Sequence, residues 1–278
     1  MTAHTAARTD GTVPVPALVA VVPGVPEPRS RDAVTALLRR VRALRPGLRT
    51  EAVWLEERGT RLAATLDRLP AAVLVPLLFT RGPGVKHAIP ALLAEAGRRA
   101  PLAASLGPHP LLAEALCGRL VESGHRAGDA VVLAAPGSLD PESTAGTQHT
   151  ADLLSARLGG APVLPGHLGA GGPSVPEAVA ELRRRGHRRI GVAGCFVTPG
   201  AAADSCAVAA AAAATADAVL AQPLGAHASL IRLLLHRYDQ AHVRRAPAPR
   251  AGRSARTGAV AVATAGPGAG HGWEAHYG

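Results

Sequence analysis

Short, almost wholly apolar runs alternate along this chain with longer stretches in which apolar residues recur every three to four positions. The runs are Ala17–Val22, Val73–Phe79, Ala130–Ala135 and Arg189–Val197, with weaker ones at Arg49–Leu55, Pro101–Ser105, Pro162–Leu164 and Ala218–Gln222. Apolar runs of that length bounded by Gly and Pro read as buried strands. Between them, Val34, Leu37, Leu38, Val41 and Leu44 fall on one helical face, with Ser30 as the expected cap and Pro46-Gly47 as the stop. Helices are also predicted over Thr60–Leu69, Ala91–Arg98, Leu111–Glu122, around Leu153 to Leu158, over Val175–Arg185, the alanine-rich run 201–216 and Ser229–His242. Strands alternating with helices imply parallel sheets joined by right-handed crossovers.

The pattern runs twice. VPGVPEP at 22–28 matches APGSLDP at 135–141 with an offset of 113 residues, and LGPHP at 106–110 matches LGAHA at 224–228 with an offset of 118. Gly82 and Gly200 are also 118 apart, each after an apolar strand with a phenylalanine, Phe79 or Phe196. Three landmarks in one order at nearly one offset predict two tandem, similar α/β lobes, each a parallel sheet flanked by helices, with a cleft between them. The lobes are placed at 17–125 and 126–243. A disordered leader is expected over 1–16, and a disordered basic Ala/Gly/Pro/Arg-rich tail over 244–278.

Composition narrows the chemistry. Aromatic residues make up only 2% of the chain, so the core must be built from Ala, Val and Leu. The formal charge is +10, and Lys86 is the only lysine among 30 basic residues. Part of that charge lies in the tail, and stacking platforms are absent, so no nucleic-acid partner is expected. The cysteines, Cys117, Cys195 and Cys206, are dispersed without a CxxC, which argues against a disulfide framework or zinc knuckle. No apolar run approaches a membrane span, so no membrane partner is expected and the cytoplasm is the expected location.

The candidate mouth is the segment after the strand Val73–Phe79, TRGPGVKHAIP at 80–90. Ligands in open α/β sheets bind at such strand-end loops. Arg81 and Lys86 could pair with ligand carboxylates or stand as solvated cations, and Gly82 brings backbone close to a ligand. In the second lobe Gly137 and Ser138 offer backbone N–H groups and a hydroxyl, or else form a local turn with Asp140. His87 belongs to the same cationic segment and reads on its own as a solvated loop histidine near a helix start. His109 and His227, at matching positions before helices, read as turn or cap residues rather than ligands. Asp204 reads as a cleft acid or as a helix N-terminal charge. No nucleophilic triad, Walker motif or dinucleotide fingerprint is present.

With these residues in view, the chain resembles the sirohydrochlorin chelatase family, the CbiX-type class II chelatases, in its two-lobed form. The resemblance is carried by PLLFTRGPGVKHAIP at 76–90, LGPHPLL at 106–112, LAAPGSLDP at 133–141 and PLGAHASLIRLLLHRYDQA at 223–241. It implies insertion of Fe²⁺ or Co²⁺, as co-substrate, into an anionic sirohydrochlorin-like tetrapyrrole for siroheme or cobalamin synthesis, with no tightly bound cofactor. The family's two metal-site histidines align with Pro23 and Gly84. That departure leaves His87 as the substitute ligand and base, with Arg81, Gly82, Lys86, Gly137 and Ser138 as substrate-binding residues. It also opens an alternative: a catalytically degenerate paralogue that binds a tetrapyrrole or metal without chelatase activity.

Overall fold

The structure is a computed structural model in which residues 15–57, 59–213 and 218–245 are described. The expected leader lies outside the described residues except for Val15 and Pro16, and the tail except for its first two residues.

Each half builds one parallel sheet. In the first, β1 (Ala17–Val22) lies between β2 (Thr50–Trp54) and β3 (Ala72–Pro76). In the second, β4 (Ala130–Ala135) lies between β5 (Val163–His167) and β6 (Ile190–Gly194), and β7 (Ala218–Leu220) adds to the outer side of β6. The strand predicted over Pro101–Ser105 is reduced to a single bridge, Leu102 with Leu74, so it occupies the place that β7 takes in the other half. Pro101, without an N–H, cannot extend that ladder as a donor.

The crossovers are helical. In the first half they are α1 (Pro28–Leu44), α2 (Gly59–Asp67), α3 (Ile89–Glu95) and α4 (Pro110–Glu122). In the second they are α5 (Pro141–Arg157), α6 (Val175–Arg184), α7 (Ala201–Ala213) and α8 (Ala228–Arg245). α1 begins two residues before the expected cap: Pro28 occupies the first turn, where its missing N–H costs nothing, and Ser30 lies inside the helix. α5 is capped by Asp140, whose Oδ1 accepts from Ser143 N at 3.0 Å. His109 and His227 are the turn residues expected, their Nδ1 atoms accepting from Leu111 N at 3.1 Å and Ser229 N at 3.2 Å.

Strand alternation assigns each sheet face to a different core. Leu18, Ala20 and Val22 of β1, Val73 and Val75 of β3, and Val131 and Leu133 of β4 share one large buried cluster that spans both halves. The opposite faces pack on α2 and α3 in the first half and on α6 and α7 in the second. The last helix of each half fills the shared layer by crossing over: α4 lies on β6 and α5, while α8 lies on β3 and α1. Polar ties fix the exchange. The buried Tyr238 hydroxyl of α8 donates to Pro16 O at 2.5 Å, Arg45 pairs with Asp239 through two contacts of 2.5 and 2.9 Å, and Arg119 of α4 donates to Leu224 O at 2.8 Å.

Four histidines are held mainly neutral by burial. Desolvation is the largest cause pushing His109, His125, His167 and His227 below the usual imidazole value, and both ring nitrogens of His125 lack a hydrogen-bond partner. A histidine whose folded value is depressed binds fewer protons when folded than unfolded. Its contribution is complete above the unfolded value and fades as the pH falls below it. Urea unfolding midpoints should therefore hold nearly level from pH 7.5 to about 6.5, the unfolded imidazole value, and drop from there to pH 5.5. A flat or rising profile below about pH 6.5 would contradict the burial of these rings.

Candidate functional site

The strands of both sheets deliver their C-terminal ends to one cleft of about 690 Å³. Its walls come from the loop after β1 (Pro23 to Val25), the loop after β3 (Leu77 to Gly84), the loop after β4 (Pro136 to Ser138) and the loop after β6 (Cys195 to Gly200). This is where the doubly wound strand order predicts a ligand site, because crossovers on either side of the central strand leave a crevice between them. Duplication has built one site from two such crevices.

Local geometry explains the loop sequences. Gly137 holds φ +91, and a Cβ there would stand 2.6 Å from Ala170 O, so only glycine lets the loop after β4 pass this close. At Gly84 a Cβ would meet Leu78 Cδ1 at 2.8 Å, so a longer side chain at 84 needs Leu78 to turn aside. Two matching clasps close the flanks of the cleft. Thr80 Oγ1 and Ser143 Oγ share a hydrogen bond of 2.7 Å, and Ser30 Oγ donates to Pro199 O at 2.7 Å. Ser30 and Ser143 are separated by the same 113 residues as the repeated loops.

Of the residues singled out from sequence, Gly82, Gly137 and Ser138 line the cleft. Ser138 Oγ also accepts from Asp140 N at 3.1 Å, so the local turn forms as well. Arg81 and Lys86 are not among the lining residues and are paired across the halves. Arg81 Nη1 meets both Glu142 oxygens at 2.9 and 3.0 Å. Lys86 Nζ contacts Asp140 Oδ1 and Oδ2 at 3.0 and 2.8 Å and also pairs with Glu142. The hydrogen bond to Asp140 holds the Lys86 ammonium above its usual value, and Lys86 in turn holds both carboxyls below theirs.

His87 is exposed and is not among the residues that line the cleft. It lies on the π-helical turn Gly84–Ala88 that runs directly into α3. That turn buries Val85 and Ile89, and His87 takes the opposite side. Asp204 stands in the first turn of α7 and pairs with Arg29 at 3.3 Å, both well exposed, so the structure places it as a helix N-terminal charge.

The cleft holds two carboxylates that the sequence reading did not single out, Glu27 and Glu56. Glu27 precedes Pro28 at the start of α1 but makes no side-chain cap bond. Its Oε2 reaches toward the other half, 3.4 Å from where a Cβ on Gly200 would stand. Glu56 follows the C-terminal end of β2, a position that strand-end logic alone could have flagged. No lysine, arginine or histidine is among the described lining residues; the rest are apolar, glycine or hydroxyl-bearing. Cys195 lines the cleft but is inert as a nucleophile, because burial pushes its thiol up to about 12. Among the described residues no group of three or more His, Cys, Asp or Glu is placed to hold a metal ion. Nor is any of their helices long and apolar enough to cross a membrane.

No curated protein matches this sequence. Solved structures share its fold at low identity. SirB from Bacillus subtilis, solved with Fe³⁺, superposes with a TM-score of 0.68 at 21% identity, over 82% of this chain and 96% of SirB. The sirohydrochlorin chelatase SirB from Bacillus subtilis subspecies spizizenii, in complex with cobalt, gives 0.64 at 19% identity, over 83% and 97%. CbiX, described as the terminal enzyme for biosynthesis of siroheme in denitrifying bacteria, gives 0.62 at 19% identity, over 81% and 99%. The CbiX family profile matches twice, over residues 17–123 and 130–241, one match on each sheet and its helices. The chain belongs to the CbiX family.

Proposed function

We propose that this protein acts on a carboxylated, sirohydrochlorin-like tetrapyrrole and inserts Fe²⁺ or Co²⁺ into it. The observation that carries this reading is the shared cleft, whose size falls in the range of small-molecule sites and whose walls are apolar with a few convergent polar groups. Such walls suit the faces of a flat macrocycle. Family membership and the Fe³⁺ and cobalt in the SirB structures support a metal ion as the second substrate.

Insertion exchanges one divalent ion for two pyrrole N–H protons, so the site must accept two protons and present an ion without holding it tightly. Glu27 and Glu56 are suited to both tasks. Carboxylates accept protons and offer oxygen ligands, and both residues are exposed enough to pass protons to water. A pair of oxygen ligands binds a divalent ion of this type less firmly than a full set of imidazoles, which favours release into the macrocycle. Gly82, Gly137 and Ser138 would hold the macrocycle edge by backbone N–H and hydroxyl groups. His87, outside the cleft lining, has no part in this scheme.

One feature favours a second reading, binding without insertion: no imidazole is among the described lining residues. An insertion assay separates the two. Protein mixed with metal-free tetrapyrrole and Co²⁺ should convert the macrocycle's absorption to that of the metal complex faster than the protein-free control. Binding with no acceleration would leave the second reading, and no binding would remove both.

A further inference from the structure

The cations beside the cleft already hold carboxylates, and the two carboxylates are not equivalent. Asp140 is built in. Its side chain is 16% exposed, it caps α5 through Ser143 N, and it meets Lys86, itself 19% exposed, with both oxygens. Glu142 is more open. Its side chain is 52% exposed, it caps nothing, and it is shared between Nη1 of the 65% exposed Arg81 and the Lys86 ammonium that Asp140 already holds with both oxygens. Arg81 is flanked in sequence by Thr80 and Gly82, which line the cleft, and Ser143 on the Glu142 side lines it too. Glu142 also lies in the first turn of the 17-residue α5, where negative charge is favoured.

We propose that Glu142 is an exchangeable stand-in for a ligand carboxylate: a carboxylate of the bound macrocycle displaces it from Arg81 and Lys86 and takes its place at the start of α5. This rests on the tetrapyrrole reading and adds which group recognises the macrocycle's acid side chains. Asp140 keeps Lys86 in position throughout, so the exchange leaves one cation pair intact and frees a guanidinium whose planar fork suits a carboxylate. Glu142 thereby acts as a built-in competitor that discriminates against ligands with too few acid groups to repay its displacement.

The test is equilibrium binding of a metal-free octacarboxylate porphyrin and of its octa-ester to wild type, Glu142→Gln and Arg81→Gln. Removing the competitor should tighten octacarboxylate binding about five-fold, the scale of one exposed charge pair. The gain should shrink at high salt, and the octa-ester should be unaffected. Arg81→Gln should weaken the octacarboxylate and spare the ester. If wild type binds and Glu142→Gln binds equally or less well, the exchange is wrong while the tetrapyrrole reading stands. If neither ligand binds any of the three proteins, both fall. Should Glu142→Gln not fold, an octacarboxylate affinity unchanged in Arg81→Gln overturns the proposal by itself.

Discussion

Replacing both Glu27 and Glu56 with glutamine is expected to slow Co²⁺ insertion by roughly 10²–10⁴-fold, the range that positioned proton acceptors contribute. Glutamine keeps the shape and hydrogen-bonding capacity but can neither take a pyrrole proton nor carry the charge that attracts a divalent ion. The fold should tolerate the change. Glu27 makes no cap bond to α1, and both residues are exposed. Tetrapyrrole affinity should hold or rise, because two negative charges leave a cleft that receives an anion. Each single variant should lose less than the pair, since either carboxylate can serve both protons in turn. His87→Ala should keep the wild-type rate. Loss of insertion in His87→Ala with the double glutamine variant unaffected would return the chemistry to the histidine and oblige the turn at 84–88 to rearrange.

The second large effect concerns stability. Leu116 of α4 is fully buried in the layer shared by the two halves. Leu116→Ala should cost about 2–5 kcal/mol, the sum of lost apolar transfer and the cavity left where neighbours cannot collapse. That is a large share of the roughly 5–15 kcal/mol that holds a typical domain together. Because α4 and α8 each pack on the opposite sheet, the loss should be felt by both halves at once. Urea unfolding followed by far-UV circular dichroism should show one transition, displaced as a whole. A loss below about 1 kcal/mol, or two separated transitions in wild type, would mean that the halves stand independently.

The duplication was legible because it rests on local signals. Gly and Pro at matching offsets mark the same strand-end turns in each half, and apolar runs mark the same strands. Three things were not legible. The exchange of α4 and α8 depends on which neighbour each helix finds, and the apolar face of a helix does not say which of two sheets it will meet. The neutralisation of Arg81 and Lys86 comes from Glu142 and Asp140, more than fifty residues away, so a cationic loop read alone looks free. His87 drew notice because imidazole is the familiar ligand, yet helical phase decides orientation, and the burial of Val85 and Ile89 fixes that phase. Glu56 carried a usable signal, standing just beyond a strand's C-terminal end beside Trp54. Composition gave it no prominence, since acidic residues beside turns are common on any surface.

The most direct test of the account is a crystal structure of the protein with a metal-free octacarboxylate tetrapyrrole. The macrocycle is expected between the Gly82–Gly84 loop of one half and Gly137–Ser138 of the other, with its pyrrole nitrogens turned toward Glu27 and Glu56. A macrocycle seated on any other surface, with this cleft left to solvent, would contradict it.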